Sequence, residues 1–143
     1  MKRIIFVLVS VVAIFTSCQE IVLDGAWDPI ELDKKHVNFP SEGGQNTVST
    51  LNYSRWWICG GYEAKTQVNG RWEYTDYVYP SSSEEYVTYD ILEGGWYHVV
   101  VPDKGKSNTI IITVDPNEGS EPRKAIIDMT VGDSFTSISI SQK

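Results

Sequence analysis

Apolar residues in the C-terminal third of the chain recur at every second position. Ile110, Ile112 and Val114 alternate with Thr109, Ile111 and Thr113, and Ala125, Ile127, Met129 and Val131 alternate with Lys124, Asp128 and Thr130. A period of two sends successive side chains to opposite faces of a pleated ribbon, so these segments are strands with one buried face. Helix has little to work with in the rest of the chain. Beyond the first 17 residues the only alanines are Ala26, Ala64 and Ala125, whereas Val, Ile, Thr, Tyr and Trp, which suit a half-buried pleated surface, fill the runs between turns.

Turn residues fall where strands should stop: Glu42-Gly43-Gly44, Gly60-Gly61, Asn69-Gly70, Gly94-Gly95, Lys104-Gly105, Pro116-Asn117-Glu118-Gly119 and Gly132-Asp133. Asn69-Gly70 separates Lys65–Val68 from Arg71–Tyr74, and a two-residue primed turn needs positive φ at both positions, which this pair tolerates. The segment is therefore a hairpin. Short strands with frequent turns predict an all-β fold, an antiparallel sandwich rather than a parallel α/β sheet.

The N-terminus is of another kind. Lys2 and Arg3 precede an apolar run from Ile4 to Phe15, followed by Thr16-Ser17-Cys18. A basic start, an apolar middle and small residues before a cleavage point are the layout of a secretory signal, and a run twelve residues long falls short of the roughly 20 that span a bilayer. Phe15-Thr16-Ser17-Cys18 resembles the bacterial lipobox, which implies cleavage after residue 17 and lipid on Cys18. Several acyl chains hold firmly where one does not, at about 0.8 kcal/mol per buried methylene. The expected organisation is a signal peptide at 1–17, a lipid-anchored tether at 18–33 on which Trp27 can dock, and one domain at 34–143. The expected location is the outer membrane, on a face the sequence leaves open.

With Cys18 committed to lipid, Cys59 has no intrachain partner and is read as a free thiol buried as a small hydrophobe. The formal charge is −7, and loss of Lys2 and Arg3 with the leader leaves −9. Such a surface repels phosphate backbones, so nucleic acid is excluded as a partner.

Catalytic chemistry finds little support. His36 and His98 are the only histidines, one before the first strand and one inside a strand, and both read as structural. Glu84, Glu85 and Asp90 offer carboxylates, but spacing does not pair them across a glycosidic bond. Asp115-Pro116-Asn117-Glu118-Gly119 lacks the further oxygen ligands of a calcium loop and reads as a turn. No metal or cofactor motif is present, and the expectation is a non-enzyme.

Aromatic residues are concentrated. Twelve of the seventeen Phe, Tyr and Trp residues lie between Tyr53 and Tyr97. Half of these suffice for core and cross-strand pairs. Trp72 and Tyr74 share one face of the hairpin, Tyr77 and Tyr79 share one face of the segment after it, and with Tyr86 and Tyr89 they form the candidate ligand-binding set. An amphipathic ring lies well against the apolar face of a sugar.

From His36 onward the chain resembles the BACON domain, an immunoglobulin-like module common in secreted and surface proteins of Bacteroidetes. The resemblance is carried by Val37-Asn38-Phe39, Gly43-Gly44, Val48, Asn52, Trp56 and Ile58, then Trp96–Val99, Pro102, Gly105, Ile110–Val114 and Pro116-Asn117. It closes with Arg123–Ile127 and Ile138–Gln142. The resemblance implies an immunoglobulin-like sandwich in which Trp56, Trp96 and Arg123 are structural, interrupted by an aromatic insertion at about 63–93. Modules of this kind are associated with glycan capture, so the expected function is non-catalytic carbohydrate binding. The alternative is a structural or assembly lipoprotein whose insertion docks a protein partner.

Overall fold

The computed structural model describes residues 26–85 and 88–143, and for residues 65–68 the backbone alone. The signal peptide, Cys18, the first half of the tether and Tyr86 therefore lie outside the described residues.

Ten strands form two sheets. They are β1 (His36–Phe39), β2 (Gly44–Ser49), β3 (Trp57–Val68), β4 (Arg71–Val78), β5 (Pro80–Ser81), β6 (Ile91–Glu93), β7 (Tyr97–Val100), β8 (Thr109–Val114), β9 (Arg123–Val131) and β10 (Ser134–Gln142). One sheet runs β1-β10-β9-β3-β4 and the other β2-β8-β7-β6-β5. All pairings are antiparallel except β1 with β10. This is an immunoglobulin-like sandwich in which β10, β9, β3 and β4 correspond to the G, F, C and C′ strands of a variable-type domain.

The expected alternation is present and forms the core. Ile110, Ile112 and Val114 face Ala125, Ile127 and Met129 across the sandwich, joined by Val37, Phe39, Val48, Ile58, Leu92, Val99, Ile138 and Ile140. Thr130 departs from its expected exposure: it is buried because its hydroxyl donates to the carbonyls of Gly132 and Ser134, tying the β9–β10 turn. Asn69 and Gly70, at φ 51° and 76°, make the expected hairpin turn between β3 and β4.

Trp56 and Trp96 are core residues, and the Arg123 guanidinium stacks 4.8 Å from the Trp96 ring centre. Arg123 also donates to the Gln142 side-chain carbonyl, while buried Gln142 Nε2 donates to the carbonyls of Pro40 and Asp115. Gln142 thus locks the last strand to two loops. Before residue 34 the chain already packs on the domain. Ile30 is in the core, Leu32 bridges to Thr50, and Trp27 lies over Gly132, with its backbone N–H donating to Asp133.

Candidate functional site

β4 is an edge strand, and its aromatic side chains are arranged by an irregularity that period-two counting does not contain. Tyr77 is opposite Tyr62 and Asp76 opposite Glu63, but the next pair is Tyr74 with Ala64, so Thr75 is an extra residue on β4. On the other side of β3 the register is regular from Gly60 to Ala64, with Tyr62 opposite Ile126 and Ala64 opposite Lys124. Directly opposed residues share a face. Tyr74 and Tyr77, three positions apart, therefore both project from the outer face of the sheet, as do Trp72 and Tyr79. The bulge merges two aromatic pairs that strict alternation would place on opposite faces.

Tyr62 completes the row. Its ring centre is 5.0 Å from that of Tyr77, which is 4.7 Å from that of Tyr79, with interplanar angles of 67° and 82°. Edge-to-face contacts of this kind hold the rings upright, and Tyr79 remains 80% exposed and Tyr77 39%. Toward the hairpin, the Lys124 ammonium sits 5.2 Å from the Trp72 ring centre.

Tyr77 is seated by a glycine. Gly60 has φ 149°, and a Cβ built there would fall 2.2 Å from the Tyr77 hydroxyl oxygen. The ring lies across this gap and its hydroxyl donates to the Cys59 carbonyl at 2.8 Å. An aromatic side chain covering a strand glycine on a neighbouring strand is a known register device. Burial and the neighbouring Tyr62, Cys59, Tyr79 and Asp128 raise the Tyr77 pKa, and burial alone raises that of Tyr74, so both stay neutral donors at physiological pH.

Beside this row lies a cleft of about 370 Å³, lined by Cys59, Tyr62, Tyr77, Asp128, Phe135, Thr136 and Ser137. Three rings supply apolar walls. Asp128, which accepts from the Ser137 hydroxyl at 2.6 Å, supplies an acceptor at the floor. A few placed polar groups on mainly aromatic walls are the usual make-up of a small-ligand site. Cys59 is a free thiol but is not the buried hydrophobe expected: following buried Ile58 on a strand of period two, it points to the outer face and lines the cleft, half-buried. Burial first, and then Asp128, raise its pKa against a hydrogen bond from Thr130 that lowers it, so it is a poor nucleophile.

Of the candidate residues, Trp72, Tyr74, Tyr77 and Tyr79 come together. Tyr89 does not join them: it lies on the loop entering β6, exposed, with its carbonyl accepting from the Ile58 N–H. Tyr62 and Phe135 belong to the surface but were outside the candidate set. Tyr62 could have been found by counting across the hairpin from the Asn69-Gly70 turn, whereas Phe135 gives no signal beyond an exposed aromatic in a polar strand. His36 and His98 are both on strands, His36 beside the Ser139 hydroxyl and His98 paired with Glu93 at 2.7 Å, and neither lines the cleft.

Comparison with known proteins gives a fold and a family for part of the chain. No curated protein matches. A solved structure, "NMR structure of the protein from Bacteroides thetaiotaomicron", is similar at 23% identity and TM-score 0.56, covering 85% of this chain and 92% of that one. A xyloglucanase structure, "Bacteroides ovatus GH5 xyloglucanase in complex with a XXXG heptasaccharide", aligns at 17% identity and TM-score 0.46, covering 80% of this chain and 18% of that one. The match to a family begins at the end of β5, so it takes in residues 81–93 of the aromatic stretch read as an insertion and leaves β1 to β4 outside it. Over residues 81–143 the chain matches the model of BACON, the family described as "Putative binding domain, N-terminal".

Proposed function

We propose that this protein is a non-catalytic, lipid-anchored module of the outer membrane that binds glycan through the outer face of β4. The observation that carries the proposal is the row of Trp72, Tyr74, Tyr77 and Tyr79 on one exposed face, extended by Tyr62. Exposed aromatic groups rimmed by polar side chains mark binding surfaces, and stacking of this kind accepts the apolar face of a sugar ring. Asp128, Thr136 and Ser137 line the cleft beside Tyr62 and Tyr77 and offer polar groups for sugar hydroxyls. A binding role agrees with the family description over residues 81–143. The lipobox-like Phe15–Cys18 supports the anchor, which would hold the domain within reach of polysaccharide at the membrane.

Affinity electrophoresis in gels containing single polysaccharides tests this with Trp72→Ala. Trp72 is half-buried and its contact with Lys124 is worth about 0.5–1 kcal/mol, so the variant should unfold within roughly 4 °C of wild type. Retardation by the bound polysaccharide should nevertheless fall at least tenfold. A folded variant that is retarded as strongly as wild type would refute the proposal.

A further inference from the structure

A second cleft lies away from the aromatic face. It lies at the end of the sandwich where the chain enters β3, encloses about 600 Å³, and is lined by Arg55, Trp56, Trp57, Glu84, Thr88, Lys104, Gly105 and Lys106. It shares no lining residue with the cleft beside Tyr77. We propose that this cleft is a second binding site, for an acidic saccharide: a sugar ring bearing a carboxylate or a sulfate.

Charge is the first reason. The chain as a whole carries −7, yet this cleft holds three cations against one carboxylate. Lys104 and Glu84 neutralise each other at 2.8 Å. Arg55 and Lys106 are exposed and pair with no carboxylate among the described residues, which leaves two positive charges facing one cavity. An arginine fork matches the two oxygens of a carboxylate or sulfate, and a lysine beside it adds a mobile ammonium.

The walls give the second reason. A bare inorganic anion needs no apolar surface, but here the half-buried Trp57 lines the cleft together with the cations and Thr88. The volume falls in the range of about 300–1,000 Å³ typical of ligand sites, room for more than the anion alone. Trp56 forms the floor with its indole nitrogen sealed from solvent, so Arg55, Lys106 and Trp57 are the residues we assign to the ligand.

The third reason is how the basic wall is held. After Pro102 the chain makes a single left-handed turn, in which Asp103, Lys104 and Gly105 have φ of 53°, 57° and 76°. Left-handed conformations cost non-glycine residues about 1–3 kcal/mol each and concentrate at ligand clamps. This turn fixes Lys104 against Glu84 and presents Lys106 to the cavity.

The site does not depend on the glycan reading of β4, and the test separates the two. Tryptophan fluorescence titrations of the protein would use trigalacturonate, its neutral methyl ester, a 6-sulfated disaccharide and inorganic sulfate, with wild type, Arg55→Gln/Lys106→Gln and Tyr79→Ala. The expected result is saturable binding of trigalacturonate or the sulfated disaccharide, at least tenfold weaker for the ester and for inorganic sulfate. It should also be at least tenfold weaker in the double variant, unchanged in Tyr79→Ala, and weakened by 0.5 M NaCl as screening predicts. The two acidic sugars tell carboxylate from sulfate. Equal binding of acid and ester, an undiminished affinity in the folded double variant, or no binding of either acidic sugar would overturn the proposal.

Discussion

Replacing Gly60 with alanine tests whether the aromatic row is built by backbone geometry. The new methyl carbon would lie 2.2 Å from the Tyr77 hydroxyl oxygen and 2.6 Å from its ring, so Tyr77 must leave its seat and give up its hydrogen bond to the Cys59 carbonyl. The lost bond costs about 0.5–1.5 kcal/mol. An L residue held at φ 149° adds about 1–3 kcal/mol. Together these give about 1.5–4.5 kcal/mol, or about 6–18 °C in Tm at roughly 4 °C per kcal/mol for a domain of this size. Thermal unfolding of Gly60→Ala, Tyr77→Ala and the double variant forms a cycle. The backbone strain persists without the ring but the collision does not, so the double variant should be more stable than the sum of the singles by about 1 kcal/mol or more. Additive losses, or a Gly60→Ala protein as stable as wild type, would show that Tyr77 is not seated on Gly60.

Other outcomes follow from single residues. The Tyr97 hydroxyl is buried without a hydrogen-bond partner, so Tyr97→Phe should raise stability by about 1–2 kcal/mol in chemical denaturation rather than lower it. Burial, with Glu63 adding to it, raises the Tyr97 pKa above its ordinary value, and those of Tyr74, Tyr77 and Cys59 are raised too. The fold therefore disfavours their ionised forms. Stability from these groups should be complete below pH 9 and fall as pH rises through 10 and above, with a shallower fall in Tyr97→Phe. Iodoacetamide should alkylate folded Cys59 more slowly than an unfolded control at pH 8, and Asp128→Asn, by removing a charge that raises the thiol pKa, should speed the reaction. Cys18→Ser should move the protein from washed membranes to the soluble fraction; retention at the wild-type level would contradict the anchor.

The sandwich was legible where side-chain period and turn chemistry act alone. Ile110, Ile112 and Val114 alternate without interruption, and Asn69-Gly70 admits one kind of turn, so β8 and the β3–β4 hairpin follow from the residues. The site was legible only in pieces. Trp72 with Tyr74 and Tyr77 with Tyr79 pair by alternation, but what unites the pairs is the extra residue Thr75, and a bulge leaves no pattern in Tyr74-Thr75-Asp76-Tyr77 itself. Tyr89 resembles its neighbours in composition, and only the tertiary path of the loop into β6 separates it from them. Ile30 sits in a turn-rich segment without periodicity, yet one apolar side chain there fills a core position that no local rule announces.

The central claim is that β4 presents a glycan-binding face, and ring-resolved NMR tests it most directly. A neutral oligosaccharide, cut from whichever polysaccharide retards the protein in gels, would be titrated into 13C-labelled protein. The account predicts saturable shifts at Trp72, Tyr62, Tyr77 and Tyr79, with Trp56 and Trp96 in the core unmoved. Shifts confined to other surfaces, or no retarding polysaccharide and no shift at millimolar sugar, would contradict it.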